Sequence, residues 1–449
     1  MRPLNLHSVK QQWVQPMGIA PLVVFRIVFF GLVSLGAIRF LLSGWIDELY
    51  PSGAFYFKFY GLEWVPDIHA DQMYLLFVVC AIAAFGAALG LFYKLNAAIT
   101  FGTFFLYETT DATHYLNHYY LVLLLTFLMI FLPANRAFAL DVKWRKQTAV
   151  QTVPGYMIQI LRVQLVCVYF FAGLAKLNAD WLVHHMPLAV WLPSKADLPI
   201  IGNWLALPLA AKLFSYGGAL YDLSIGFLLW NKKTRPFAYL AVLIFHTMVG
   251  LLFNIGLFPW IMILCTLIFF SPSWHESKLK KVGYTPAGHH WSPRLPRLTQ
   301  WAVVGFIAIQ LVLPLRHMVY PGNLLWHEQG YRFGWRVMLV EKSGQAVFTV
   351  YNQQGILLGE VDNQAYLSPY QEKQMAIQPD LILQYAHFLK DTLASQYQLG
   401  DLQIKCNSQV ALNGRSAQAL IDDSVDLTQE EEGWSNKSWV LPLKETSHD

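Results

Sequence analysis

Charge is scarce in this sequence. Asp, Glu, Lys and Arg make up 13% of its 449 residues, where an ordinary soluble domain carries about 25%. Cysteine is scarce too: Cys80, Cys167, Cys265 and Cys406 are all there is. Three of them sit inside apolar runs and none shows metal-ligand spacing, so they read as small hydrophobes and imply no disulfide framework. No Walker loop, GxSxG elbow or Gly-rich dinucleotide fingerprint is present, which removes the commonest phosphoryl-transfer, hydrolase and dinucleotide signatures. No internal repeat is visible, which counts against a transporter built from inverted halves. The first residues, MRPLNLHSVKQQWVQPM, lack the short apolar core and cleavage site of a secretory leader, and read as an interfacial helix or a tail. The net charge is only +4 and the basic residues lie in loops between apolar runs, so nucleic acid is not an expected partner.

What is abundant is apolar and aromatic: 55% and 15% of the residues respectively, with a mean hydropathy of +0.37. That is the composition of a membrane protein with aromatic belts at two interfaces. Nine apolar segments approach spanning length, at approximately 20–43, 72–94, 96–112, 117–133, 157–177, 204–230, 236–253, 255–272 and 299–318. The third, fourth, seventh and eighth are short and tightly joined, as tilted, re-entrant or partly buried segments would be. Alternate connections hold Arg2 and Lys10, then Lys94, then Arg136, Lys143, Arg145 and Lys146, then Lys232, Lys233 and Arg235, then Lys278, Lys280, Lys281, Arg294 and Arg297. The other connections hold only Lys58 and Lys195. The bias puts the N-terminus inside and the C-terminal part outside.

After residue 318 the character changes. RVMLVEKSGQAVFTVYNQQGILLGEV is strand-like, with turn signals at Lys342–Gly344 and Asn352–Gly355. PDLILQYAHFLKDTLASQYQ has helical apolar spacing behind Pro379 and Asp380, and LQIKCNSQVAL reads as a strand. The expected fold is a polytopic α-helical membrane protein of about nine transmembrane helices, residues 1–318, followed by a small extracytoplasmic α+β domain, residues 319–449.

Ionisable groups inside membrane segments are expensive and each needs a partner or a role. They are Arg162, Lys176, Asp222, His246 and Arg316 with His317. Lys176 ends the run CVYFFAGLAK. Its bland reading is a snorkelling anchor; its sharp reading is a catalytic base at the mouth of a pocket. Asp222 reads as a buried ion-pair partner of Arg162 that fixes helix packing. His246, in LIFHTMVG, reads as a hydrogen-bonded core histidine. The glycines of SYGGALYD read as sites of close helix packing. His114 and His118 are spaced to share a metal if helical, but no third ligand follows with a recognisable spacing, and no metal is expected. His184 with His185, and His289 with His290, read as loop pairs on opposite sides of the membrane.

Several of these stretches carry a resemblance. YLNHYYLVLLLTFLMIFLPANRAFALD resembles the asparagine–histidine helix and following corner of the vitamin K-dependent γ-glutamyl carboxylases. LRVQLVCVYFFAGLAKLNADW resembles the helix that carries the catalytic lysine of that family. GGALYDLSIGFLL, FHTMVGLLFNIGLFPWIM, LPLRHMVYPGNLLWHEQGYRFGWRVML and SWVLPL are similar in the same order. Bacterial members with a horizontally transferred transmembrane (HTTM) domain share these motifs. A tryptophan of the family is Tyr115 here, and one lysine of a family pair is Ala175, which leaves Lys176 alone as the match. The resemblance implies a membrane enzyme, a vitamin K epoxidase and carboxylating lyase, that uses reduced vitamin K with O2 and CO2. Oxygenation to the epoxide would supply a base strong enough to take the γ-hydrogen of a peptide glutamate, and the carbanion would attack CO2. It implies Lys176 and His118 as catalytic, and Tyr115, Asn117, His118, His246 and Phe258 as the quinone site. The expected partners are the lipid bilayer and a glutamate-containing peptide or protein. The expected location is a bacterial inner membrane, with the N-terminus cytoplasmic and the C-terminal domain periplasmic. The rival readings are a hydroquinone epoxidase or oxygenase that does not carboxylate, and a non-enzymatic quinone-binding or transport protein.

Overall fold

The computed structural model describes residues 13–51, 53, 55–291 and 296–444. The expected N-terminal helix or tail, up to residue 12, and Arg294 of the inside basic set lie outside the described residues.

Each of the nine apolar segments carries a helix. These are α1 Ala20–Ser43, α2 Ala70–Leu89, α3 Tyr93–Thr109, α4 Asn117–Phe131, α5 Tyr156–Ala175, α6 Pro208–Trp230, α7 Arg235–Leu252, α8 Phe258–Cys265 and α9 Arg297–Val312. Prolines open α1, α6, α7 and α8 in their first turns, where the missing N–H costs nothing. Gly44 and Gly90 close α1 and α2 in the left-handed region, at φ +72° and +67°. Among the described residues five helices are long and apolar enough to cross a membrane: α1, α2, α5, α7, and α9 with its 3-10 extension to Val319. A sixth is reached if Phe258–Phe269 and Pro272–Val282, bent by 114°, count as one span. That is fewer than the expected nine. Of the others, α3, α4 and α8 are short, the 15 residues of α4 making about 22 Å of helix against about 30 Å of hydrocarbon. The helix α6 is long enough at 23 residues, but it carries Lys212 and Asp222 and is less apolar.

The segments with the inside basic residues gather at one end of the bundle. There β1 Pro16–Gly18, β2 Val150–Pro154 and β3 His289–His290 form a three-stranded sheet with β2 in the centre. His289 and His290 are therefore strand residues and not a loop pair. The same end holds Arg26, an intramembrane cation that the sequence reading passed over. Its guanidinium donates to the carbonyls of Ala88, Ala134, Ala137 and Phe138 at 3.1, 2.6, 3.2 and 2.6 Å. Ala88 lies in the last turn of α2 and the others in the non-helical corner after α4, where carbonyls lack helical partners.

Interior packing in a lipid-facing bundle rests on close approach more than on water exclusion. The close approaches are not where the sequence suggested. A Cβ on Gly217 would meet nothing within 4 Å, and one on Gly218 would stand at an ordinary 3.5 Å from Trp181. The tight contacts are at Gly173, where a Cβ would lie 2.6 Å from the backbone nitrogen of Leu223, and at Gly226, packed on Val166. These two glycines set α5 against α6.

Beyond α9 the chain forms an antiparallel sheet of four strands, β4 Lys342–Asn352, β5 Leu357–Glu360, β6 Leu402–Leu412 and β7 Gln418–Ala419, in the order β5-β4-β6-β7. The pairing of β4 with β6 runs from Lys342 opposite Leu412 to Asn352 opposite Leu402. The turn signal at Asn352–Gly355 does separate β4 from β5, but Lys342–Gly344 lies inside β4. Alternate residues of β6, from Leu402 through Ile404 and Cys406 to Leu412, are buried under the helix α10 Pro379–Tyr397, which supplies Leu381, Ile382, Tyr385 and Leu389. Trp326 and Trp335, both 1% exposed, lie in the segment that joins this domain to α9.

Candidate active site

Lys176 is the residue after the last of α5, and it does not reach for an interface. It is 4% exposed, and its Nζ lies 2.9 Å from Oδ2 of Asp222 on α6. The carbonyl of Ala172, in the open last turn of α5, accepts from Nζ at 3.3 Å, and that of Val337 at 3.4 Å. The indole of Trp181 lies under the same nitrogen, with its centroid 5.0 Å away. An ammonium has three N–H bonds, and a carboxylate and two carbonyls stand around it to receive them.

This arrangement overturns the expected pairing of Asp222 with Arg162. The Arg162 guanidinium donates instead to the carbonyls of Ile268, Phe269 and Phe270, at 2.9, 3.5 and 3.4 Å, where the bent segment after α8 frees them. Asp222 and Lys176 meet because Gly173 lets α6 approach the final turn of α5.

The pair sits at a cavity of about 320 Å³, lined on the helix side by Val168, Tyr169, Ala172, Gly218 and Met262 and on the outer side by Tyr331, Trp335, Val337 and Met338. The residues expected at a quinone site all line it: Tyr115, Asn117, His118, His246 and Phe258. Their polar atoms are differently placed. The Tyr115 hydroxyl accepts from the Phe333 N–H at 2.7 Å and donates to Asn117 Oδ1 at 3.1 Å. Asn117 Nδ2 donates to the Arg336 carbonyl at 2.9 Å. These two side chains thus tie the start of α4 to the segment that closes the cavity. The ring of His118 packs on Phe258 with centroids 5.3 Å apart and makes no hydrogen bond among the described residues. It also borders a second, larger cavity of about 700 Å³ between α1, α3, α4 and the loop before α8. His246 is hydrogen-bonded, as expected of a core histidine: Nε2 pairs with the Tyr169 hydroxyl at 2.9 Å. Its Nδ1, however, and the Trp335 Nε1 are buried cavity-wall atoms with no partner among the described residues. Two unpartnered polar atoms, beside the Lys176–Asp222 pair and among many aromatic and aliphatic side chains, suit an aromatic ligand with an oxygen at its edge.

The remaining candidates lie elsewhere. His114 belongs to the 3-10 turn Ala112–His114 and stacks on Tyr370 at 5.1 Å, so it shares no helical face with His118. Among the described residues no group of three or more His, Cys, Asp or Glu side chains is placed to hold a metal ion. Arg316 donates to the Arg332 carbonyl, and His317 Nδ1 accepts from Arg336 at 2.6 Å, so both brace the closing segment. Burial there pushes the Arg336 guanidinium down to about 10. His184 and His185 follow the short helix Ala179–Leu182, away from the cavity wall. Trp335, Tyr169 and Arg336 were not singled out as quinone-site residues in the sequence. Only the aromatic density of the stretch GYRFGWRVML marked two of them.

Compared with known families, residues 14–274, more than half of the chain, match the HTTM domain. Residues 295–446 match the lumenal domain of vitamin K-dependent gamma-carboxylase. No solved structure matches the chain.

Proposed function

The chain belongs to the HTTM-domain family and, with the lumenal domain that follows it, to the vitamin K-dependent γ-carboxylase family; on that premise we propose that it oxygenates a reduced naphthoquinone and carboxylates peptide glutamate. The observation that carries the reading is the buried Lys176–Asp222 pair at one wall of an apolar cavity. In sum, reduced quinone and O2 become epoxide and water, while a glutamate γ-hydrogen is replaced by a carboxylate from CO2. When bound, the quinone supplies with O2 the strong base that this exchange needs.

The protein's part is to place and move protons and to exclude water. Transfer of one proton from Lys176 Nζ to Asp222 Oδ2 leaves a neutral amine and a neutral carboxyl. The pair keeps its net charge, so no lone ion is created in a dry site. The freed lone pair on Nζ can then take a phenolic proton. His118, Asn117 and the unpartnered Nδ1 of His246 stand around the cavity as hydrogen-bonding groups for the quinone oxygens. Phe258 and Trp335 supply ring faces. The closing segment, residues 331–338, keeps bulk water from the base.

We also place all nine helical segments in the membrane, the short ones tilted or partly buried. Their alternation leaves the N-terminus and the basic connections in the cytoplasm. The cavity mouth and the α+β domain then face the periplasm of a bacterial inner membrane. Purified protein given reduced vitamin K is expected to consume O2, form epoxide and fix labelled CO2 into a glutamate-containing peptide. Lys176→Arg is expected to do none of these, because a guanidinium keeps its proton at any working pH. Epoxide without fixed CO2 would leave the oxygenase reading. No O2 consumption would leave a quinone-binding or transport protein.

A further inference from the structure

The outer domain grips the membrane part through the turn after β6. Asn413 and Gly414 take positive φ, +49° and +79°, and bring the turn against the segment that follows Lys176. A Cβ on Gly414 would stand 2.7 Å from Cε of Met186, so the turn packs directly on that side chain. Arg415 donates from Nη1 to Oδ2 of Asp180 at 3.0 Å and from Nη2 to Oδ1 at 2.6 Å. Asn413 Nδ2 donates to the same Oδ2 at 2.8 Å and to the Leu339 carbonyl at 3.1 Å, and its Oδ1 accepts from the Glu341 N–H at 2.8 Å. Asp180, Asn413 and Arg415 are 5%, 1% and 5% exposed. A two-point, charge-assisted contact of this kind is strongly directional, and removing one partner leaves a buried charge behind.

Its position gives it a second meaning. Asp180 lies in the short helix Ala179–Leu182, four residues after Lys176, and Asn178 caps that helix through Trp181. Leu339 lies two residues after Val337, whose carbonyl receives Lys176 Nζ. The segment with the base and the segment that closes the cavity are therefore joined twice: at Lys176–Val337, and at Asp180 through Asn413 and Arg415 to Leu339 and Glu341.

We propose that Asp180 and Arg415 form a positioning clamp that holds residues 331–338 as a roof over the cavity, so that the base generated there meets a peptide glutamate and not water. This rests on the reading of function given above. With the roof loosened, oxygenation continues and water quenches the base. The yield of carboxylated peptide then falls while epoxide persists, a change that a purely structural contact would not produce.

The test uses the full chain. Arg415→Gln removes the charge; Arg415→Lys keeps it and gives up one of the two contacts. The first readout is the labelling of a Met338→Cys thiol by a hydrophilic methanethiosulfonate, followed by mass spectrometry of the peptide that carries it. Labelling is expected to be tenfold or more faster with Arg415→Gln and intermediate with Arg415→Lys. The second readout is the ratio of epoxide formed to labelled CO2 fixed, expected to rise at least threefold in Arg415→Gln. Faster labelling with a raised ratio supports the clamp. Unchanged labelling, or both products falling in proportion, overturns it. A wild-type protein that forms no epoxide defeats the reading of function, and labelling alone then decides whether the clamp holds the roof. Should Arg415→Gln fail to accumulate, Arg415→Lys carries the same comparison.

Discussion

At the scale of single residues, Lys176 and Asp222 decide what a mutation can teach. The sequence places an expensive lysine and an expensive aspartate in different helices, but a helix's rotation about its axis is not written in its own composition. Hence the ions were legible and their pairing was not. The pairing changes the experiment. A lysine at an exposed helix end could be cut to alanine at little cost. Lys176→Ala instead strands Asp222 in a site where it is 7% exposed. Single neutral replacements of either residue are expected to cost about 3–5 kcal/mol, whereas Lys176→Met with Asp222→Leu together should recover most of that. Unfolding of the purified variants in mixed detergent measures it; additive losses would show that the two ions do not depend on each other. A second residue ties stability to pH. His327 is buried in the joining segment, and its Nδ1 accepts from the Gln329 N–H at 3.0 Å, which requires that nitrogen unprotonated. Burial, with Lys342 nearby, pushes its pKa down to about 4. The unfolded chain binds this proton first, near pH 6.5, so the stabilisation is full above that value and is lost as pH falls toward 4. On the order of 2 kcal/mol is at stake. The thermal midpoint should drop between pH 7.5 and 5, and less steeply in His327→Gln; equal slopes would remove His327 from the account.

At the scale of elements, the contact of α5 with α6 is where the fold makes the site. Gly173 lies one turn before Lys176, and its missing side chain lets the backbone at Asp222 and Leu223 come close. Backbone cannot swing aside as a side chain can. Gly173→Ala is therefore expected to push the helices apart, cost about 1–3 kcal/mol, and lengthen the Lys176–Asp222 contact. Oxygenation should fall at least tenfold. The control is Gly217→Ala on α6. Its added methyl meets nothing within 4 Å, and alanine is the better helix former by about 1 kcal/mol, so stability should hold or rise. Equal behaviour of the two variants would show that the close approach is not needed. The comparison also shows why the glycine pair in SYGGALYD misled. Two adjacent glycines look like a packing motif, but one faces open space and the other the cavity. The glycines that matter stand alone among bulky neighbours, in FFAGLAK and SIGFLL, where no pattern marks them.

At the scale of the whole molecule, much of the architecture was readable because each layer announces itself by period and length. Apolar runs marked all nine helical segments, and alternation marked β6 to the residue. The order of the sheet and the roof over the cavity were not readable. Both depend on contacts between residues far apart in the chain, such as Asn117 with Arg336 and Asp180 with Arg415. The disposition of the ends carries the last prediction. The inner-end sheet joins residues near the N-terminus, after α4 and before α9. These are connections that an even number of crossings puts together, and they share the chain's basic residues. The roof and the α+β domain lie at the other end, with Lys58 and Lys195 on the connections there. A reporter inserted between Lys146 and Val150 is therefore expected in the cytoplasm, and one fused at the C-terminus outside it, as alternating crossings require. If α3 and α4 turned back within the membrane, the loop between them would lie on the same side as Lys146. A cysteine at Leu116, which is exposed, would then be labelled from the cytoplasm. Labelling from the outside, with the two reporters on opposite sides, fits nine crossings; both reporters on one side would end that topology, whatever the chemistry of the cavity.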